Sequence, residues 1–409
     1  MRTRIRASVP SDVVIVFAAF AAMGIPGSMS SVAWPTVRQT FGLPLDALGA
    51  LLIASTVGSV ASNLVSGRLQ ARLGLGLYLT FGSAGAVAGM VGYALAPAWW
   101  VMVSWLVVAS AGYGAINAGL NTYLATHYST RVMTWVHACF GLGATTGPWL
   151  MTALPAAGHS WRWGYAISAV VQGVFTVTFA LTRNQWRMAD RRPGAASGAK
   201  VVEAASWRET ARLPLLWVGI AMLGSSNGTQ ATAGQWTYTL FTEGRGIDAA
   251  IAGVWSGLYW ASITVGRVAV GIVGDRVPIA TILRVCTAGL IAGAALIWWN
   301  PAAPVSFLGL AMMGLFIAPM YPLLVLLMPR LVGVEHVANA IGFQIAAGSV
   351  TVALTPALAG VLAERISLEV IGPFLLFTTT LLLGAHEISR RVMAKRAAAG
   401  APAPAGDSR

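Results

Sequence analysis

Between Arg72 and Arg162 the chain carries one ionised side chain, Arg131, and between Val285 and Pro329 it carries none. No soluble domain is built from such stretches. A helix rising about 1.5 Å per residue needs about 20 apolar residues to cross the hydrocarbon of a bilayer, and segments of that order recur at 12–34, 47–66, 75–96, 99–126, 132–154, 161–182, 213–241, 248–271, 278–299, 303–328, 336–363 and 369–389. With 409 residues, 56% hydrophobic and 10% charged, the chain has room for these spans and short connections. The expected fold is an all-α membrane protein with twelve transmembrane helices.

A net charge of +13 raises the question of a nucleic-acid partner, which the placement of the charges answers. Twelve spans put both termini on one side. Only Arg38, Arg162, Arg245 and Arg365 then fall on the opposite side, Arg267 and Arg284 lie at inner helix ends, and the other basic residues all face the side of the termini. That bias is the positive-inside rule. It predicts a multi-pass protein of the cell inner membrane with cytoplasmic termini, and the basicity needs no nucleic acid. Trp99, Trp100, Trp161, Trp163, Trp298 and Trp299 fall at predicted outer ends, as an aromatic belt does. Cys139 and Cys286 lie within spans and imply no disulfide framework. The basic start followed by an apolar run also fits a signal peptide, but the run from Val13 to Trp34 is long enough to span.

The longest polar stretch, from Arg183 to Arg212, contains Pro193-Gly194-Ala195-Ala196-Ser197-Gly198 and divides the spans six and six. The expected organisation is an N-terminal tail (1–11), a six-helix bundle (12–182), a cytoplasmic linker (183–212), a second six-helix bundle (213–389) and a disordered tail (390–409). The halves also look duplicated: Gly49 and Gly67 stand eighteen residues apart, as do Gly253 and Gly271. Each later glycine opens a short basic cytoplasmic loop, Gly67-Arg68-Leu69-Gln70-Ala71-Arg72-Leu73-Gly74 and Gly271-Ile272-Val273-Gly274-Asp275-Arg276-Val277-Pro278. Two bundles related by an axis along the membrane normal place a substrate site between them near mid-membrane.

These segments carry a resemblance. The first is similar to the Gly-x-x-x-Asp-Arg-x-Gly signature of the major facilitator superfamily, keeping Gly67, Arg72 and Gly74, with Ala71 in place of the aspartate. The second keeps Gly271, Asp275 and Arg276 but ends in Pro278. Within that superfamily the chain most resembles the fucose permease-like sugar transporters, through Asn117-Ala118-Gly119-Leu120-Asn121, His137-Ala138-Cys139-Phe140-Gly141-Leu142-Gly143, Gly228-Thr229-Gln230 with Gly234 and Trp236, Gly266-Arg267, Ala318-Pro319-Met320-Tyr321-Pro322 and Gly342-Phe343-Gln344. The resemblance implies two pseudo-symmetric six-helix bundles, a monomer, no cofactor, and a gating role for Arg72, Arg267, Asp275 and Arg276.

Polar side chains retained inside spans face a cavity or another helix, because hydrocarbon penalises them. Tyr113, Asn117 and Asn121 recur every four residues and share one helical face. Asn227, Gln230, Gly234 and Tyr238 do so at steps of three or four, and Trp255, Tyr259, Ser262 and Gly266 form a third stripe. Amides beside flat aromatic faces suit a polyhydroxylated ligand, and Trp236, Tyr321 and Gln344 join the candidates. The same amides can instead bridge neighbouring helices, and Gly141, Gly143 and Gly147 let helices approach closely.

The thirteen acids all lie at span ends, in loops or in tails, and the positions aligned with the family's span 4 acid and span 7 glutamate are Asn117 and Gln230. A carboxylate proton relay is therefore not expected. His137 is left as the titratable group inside a span, to exchange a proton or to cap a neighbour. Arg267 is expected to snorkel to the inner surface or to pair in a cytoplasmic gate, with contact to an anionic ligand as the alternative. The expected function is transport of a small polar metabolite, a sugar or polyol, by alternating access. Export of amphipathic organic compounds is the alternative. No paired carboxylates, nucleophile with a base, or metal-ligand spacing marks an enzyme or a metal site.

Overall fold

The computed structural model describes residues 11–128, 130–186, 205–273 and 276–398, and every regular element among the described residues is helical. Hydrocarbon leaves no water for backbone N–H and C=O groups, so a span must satisfy them within itself. The first half supplies α1 (Ser11–Phe41), α2 (Leu48–Leu73), α3 (Leu75–Leu95), α4 (Trp99–His127), α5 (Thr130–Ala156) and α6 (Arg162–Leu181). A short α7 (Trp207–Ala211) leads into α8 (Pro214–Thr239), α9 (Ala249–Val273), α10 (Ile279–Trp299), α11 (Ala303–Ile317), α12 (Met320–Val332), α13 (Val337–Arg365) and α14 (Ile371–Ala398). Ten described stretches are long and apolar enough to cross a membrane, with α11 and α12 together forming one, interrupted at Pro319 where a backbone donor is missing. The remaining two expected spans, α5 with 27 residues and α8 with 26, have spanning length.

Three expectations change. The segment from Gly67 to Gly74, expected as a loop, is helical through Leu73, because Arg68, Leu69, Gln70, Ala71 and Arg72 are good helix formers. The turn is made by Gly74 at φ +75°, a conformation that costs glycine little. Disorder was expected from residue 390, but α14 continues to Ala398, helped by an Arg390–Glu387 ion pair at 2.9 Å one turn apart. The linker contains α7, opened by a reciprocal cap in which the Glu209 backbone N–H donates to Ser206 and the Ser206 backbone N–H donates to the Glu209 side chain. Those hydrogen bonds hold the exposed Glu209 carboxyl below its usual range. The Pro193–Gly198 stretch, residues 1–10 and 399–409, and Asp275 lie outside the described residues.

Packing divides the chain into two compact units, one of Met1–Met29 with Val57–Asp190 and one of Ser30–Thr56 with Arg191–Arg409. Compared with the division expected from the sequence, Ser30–Thr56 groups with the later unit.

In the first unit, buried Phe20, Leu79, Ile116, Phe179 and Trp186 form the centre. Glycines let backbones meet there. A Cβ at Gly143 of α5 would stand 1.8 Å from the Ala21 carbonyl oxygen of α1, and one at Gly112 of α4 would stand 2.3 Å from the Ala86 nitrogen of α3. At the start of α1, Asp12 accepts hydrogen bonds from the hydroxyls of Tyr123 (2.6 Å) and Tyr128 (2.5 Å). Burial and this carboxylate push the Tyr128 hydroxyl up to about 12.

In the second unit α8 packs against α13 and α14. Trp236 is fully buried, its indole N–H donating to the Pro356 carbonyl at 2.7 Å and its ring lying where Gly360 leaves room. Arg245 is a fixed cation. It grips both oxygens of Glu369 at 2.8 and 2.7 Å and also donates to Ser306 and to the Ile297 carbonyl. Arg38 pairs with Glu243 at 2.6 Å, and the Leu45 backbone N–H donates to Glu364 at 2.6 Å.

Three of the four arginines that break the charge bias are thus held by specific partners: Arg38, Arg245, and Arg162, which donates to the Ala94 carbonyl at 2.6 Å and lies over the Trp161 ring. Arg365 is exposed.

Candidate substrate site

A polar group matters to a ligand only if its own fold has not already used it. Most hydroxyls in the spans are used, returning a hydrogen bond to the carbonyl one turn back: Thr80 to Gly76, Thr122 to Ala118, Thr145 to Gly141, Ser262 to Leu258 and Thr287 to Leu283, all at 2.7–2.9 Å. The carboxamides remain.

On α8, Asn227 and Gln230 are half-buried, and neither side chain makes a hydrogen bond to a described residue. Gln235, two turns beyond Asn227 and not among the sequence candidates, accepts from Ser30 at 3.0 Å. Gly234 and Tyr238 of the same predicted stripe are packing positions. A Cβ at Gly234 would stand 3.3 Å from the rings of Tyr259 and Trp260, and Tyr238 is 7% exposed.

The expected α9 stripe proves to be the helix's packing face. Tyr259 is 1% exposed and donates to the Gln230 backbone carbonyl at 2.9 Å, and Gly266 lies against the Leu315 carbonyl of α11. Trp255 stacks on Phe307 with centroids 4.7 Å apart. Half-buried groups occupy another flank, where Trp260, Thr264 and Arg267 follow one another at i, i+4 and i+7. Trp260 could have been found from that spacing. Trp236 and Gln344 leave the set of ligand candidates, Trp236 for the burial already described and Gln344 because it is 1% exposed and donates to the Gly219 carbonyl at 3.2 Å. Tyr321 stays accessible at 43%.

In the first unit α4 presents half-buried Tyr113 and exposed Asn117, with Asn121 donating to the Asn117 side chain at 2.9 Å and to its backbone carbonyl at 2.8 Å. The two amides act as a pair. His137 of α5 meets the edge of Phe20, ring centroids 5.2 Å apart. Arg72 at the end of α2 and Arg276 in the turn before α10 are exposed, and no group of three or more His, Cys, Asp or Glu able to hold a metal occurs among the described residues.

The model of the Major Facilitator Superfamily matches residues 15–308. No curated protein sequence matches the chain. Among solved structures, a mutant of the nucleoside transporter NupG superposes with a TM-score of 0.75 at 12% identity, covering 92% of this chain and 98% of that one. A bacterial homolog of the human lysosomal transporter Spinster, inward-facing and unoccupied, gives 0.73 at 12% identity, covering 95% and 98%. The transporter FucP in an outward conformation gives 0.61 at 13% identity, covering 93% and 99%. At these identities the likeness is one of fold. With its helical spans and the match over most of its length, the chain belongs to the Major Facilitator Superfamily and is a membrane transporter of small molecules.

Proposed function

We propose that the chain carries a small polyhydroxylated metabolite of the sugar or polyol type across the cell inner membrane by alternating access. The supporting observation is the pair of uncommitted amides Asn227 and Gln230 on α8, in spans whose hydroxyls are largely satisfied by their own helices. A carboxamide offers both donors and an acceptor, so it can serve a hydroxyl in either sense, and aromatic faces such as Trp260 suit a sugar's C–H surface. In proteoliposomes, Asn227→Ala and Gln230→Ala are each expected to raise the concentration for half-maximal counterflow about tenfold, near the 1–1.5 kcal/mol of a ligand hydrogen bond. Unchanged counterflow in both variants would remove the amides from the site.

Energy coupling without a membrane carboxylate is the second part of the proposal. Of the described acids, Asp12 is engaged by two tyrosines, and Glu243, Glu364 and Glu369 are engaged at helix ends. Transport is then either uncoupled or coupled through His137. Uptake under an imposed pH gradient, compared between the wild type and His137→Ala, is expected to show no gradient-driven accumulation in the variant. Strong accumulation in both proteins would exclude both arrangements.

A further inference from the structure

Arg267 has no hydrogen bond, ion pair or ring contact with any described residue, and it is half-buried. The other described arginine and lysine side chains of the second unit are either paired, as Arg38, Arg245, Arg284 and Arg390 are, or sit exposed. No described acid forms an ion pair with it. Glu243, Glu369 and Glu387 face those arginines, Glu364 holds the Leu45 N–H, Asp248 accepts from the Ala250 and Ile251 amides, and Glu335 lies beside His336.

Its direction argues against service to the lipid surface. Val265, Val268 and Ile272 mark the exposed apolar stripe of α9, and Arg267 is turned about 100° from Val268 and farther from Val265. It lies instead on the flank of Trp260 and Thr264. Trp260 is level with Gly234 of the antiparallel α8. Seven residues along each helix, about 10 Å, bring Arg267 to the depth of Asn227. Arg267 and Trp260 on one flank of α9 thus span the same depth as Asn227 and Gln230 on α8, with the Asn227 Nδ2 beside Gly348 of α13.

An unneutralised arginine inside a span costs several kcal/mol, and its planar fork matches a carboxylate or phosphate with two parallel hydrogen bonds. Resting on the transporter reading above, we infer that the substrate is a hydroxylated organic anion whose carboxylate or phosphate is held by Arg267, while Asn227 and Gln230 take its hydroxyls.

Matched probes separate charge from shape. Thermal unfolding of the full chain in detergent is to be followed with D-gluconate against D-glucose and glycerol 3-phosphate against glycerol, at constant ionic strength, for the wild type, Arg267→Gln and Arg267→Lys. At least one anion is expected to raise the midpoint at a concentration tenfold or more below its neutral partner. Arg267→Gln should erase that difference and Arg267→Lys should weaken it, with elution volumes unchanged and the unliganded midpoint of Arg267→Gln at or above the wild-type value, since the unneutralised charge is gone. Equal responses within both pairs, no response to either anion, or a preference that survives Arg267→Gln overturns the assignment. So does a midpoint shift that depends on Arg267 but appears only with added phosphatidylglycerol, because the anion is then a lipid headgroup. Counterflow tells the two readings apart. Asn227-dependent counterflow of the neutral member alone would sink the charge assignment and keep the transport site, whereas Arg267-dependent anion binding without counterflow would sink the transport reading.

Discussion

Replacing Gly143 with leucine is expected to remove most of the folded protein from a detergent extract, leaving little of the monodisperse peak given by the wild type. The reason is geometric. Even a Cβ there would stand 1.8 Å from the Ala21 carbonyl oxygen, and this neighbour is backbone, which no rotamer change can move aside. Overpacking a close-packed core costs about 1–3 kcal/mol when side chains can adjust, and more when they cannot. Separating α1 from α5 would also break the Gly24 contact with Phe140, where an added Cβ would stand 2.2 Å from the carbonyl oxygen. Gly173→Ala is the control. It adds a methyl to helix α6 where no atom lies within 4 Å, and should be neutral or stabilising by about 0.5–1 kcal/mol. Wild-type yield and midpoint for Gly143→Leu would contradict the contact.

The second large effect is expected at Trp236. Truncation to alanine empties a fully buried site between α8 and α13 and should cost about 3–5 kcal/mol, read as a fall in thermal midpoint and in yield. Trp236→Phe keeps most of the volume and leaves the Pro356 carbonyl without its donor, a loss of about 1–3 kcal/mol. If the indole only packs, Trp236→Phe lowers the midpoint while the concentration for half-maximal counterflow stays at the wild-type value. A selective loss of substrate affinity at an unchanged midpoint would return Trp236 to the binding site.

That comparison shows where sequence reading stops. Charge-free stretches, the arginine bias and the tryptophans near helix ends made the spans legible, because hydrocarbon penalises ionised groups whatever the tertiary arrangement. Helical spacing also identified residues sharing a face. It could not say which way the face turns. On α9 the aromatic and small-residue stripe of Trp255, Tyr259, Ser262 and Gly266 packs against neighbours, and half-buried Trp260, Thr264 and Arg267 lie on an adjoining flank. Gln344 reads as a ligand amide by residue type, yet its Nε2 is taken by the Gly219 carbonyl of another helix. Orientation is decided by contacts remote in sequence, and one isolated chain does not display them. The clasp of Asp12 by Tyr123 and Tyr128 was hidden for the same reason, since its partners are more than a hundred residues away.

The threonines and serines that bond to the preceding turn of their own helix have a bearing on engineering. Removing such a hydroxyl deletes donor and interaction together inside one segment, so alanine at Thr80, Thr122 or Thr287 leaves the recognition chemistry untouched. A mutant library meant to retune selectivity gains little from these many sites. Under the site proposed above, it can be confined to a handful of codons for amides, one guanidinium and one indole.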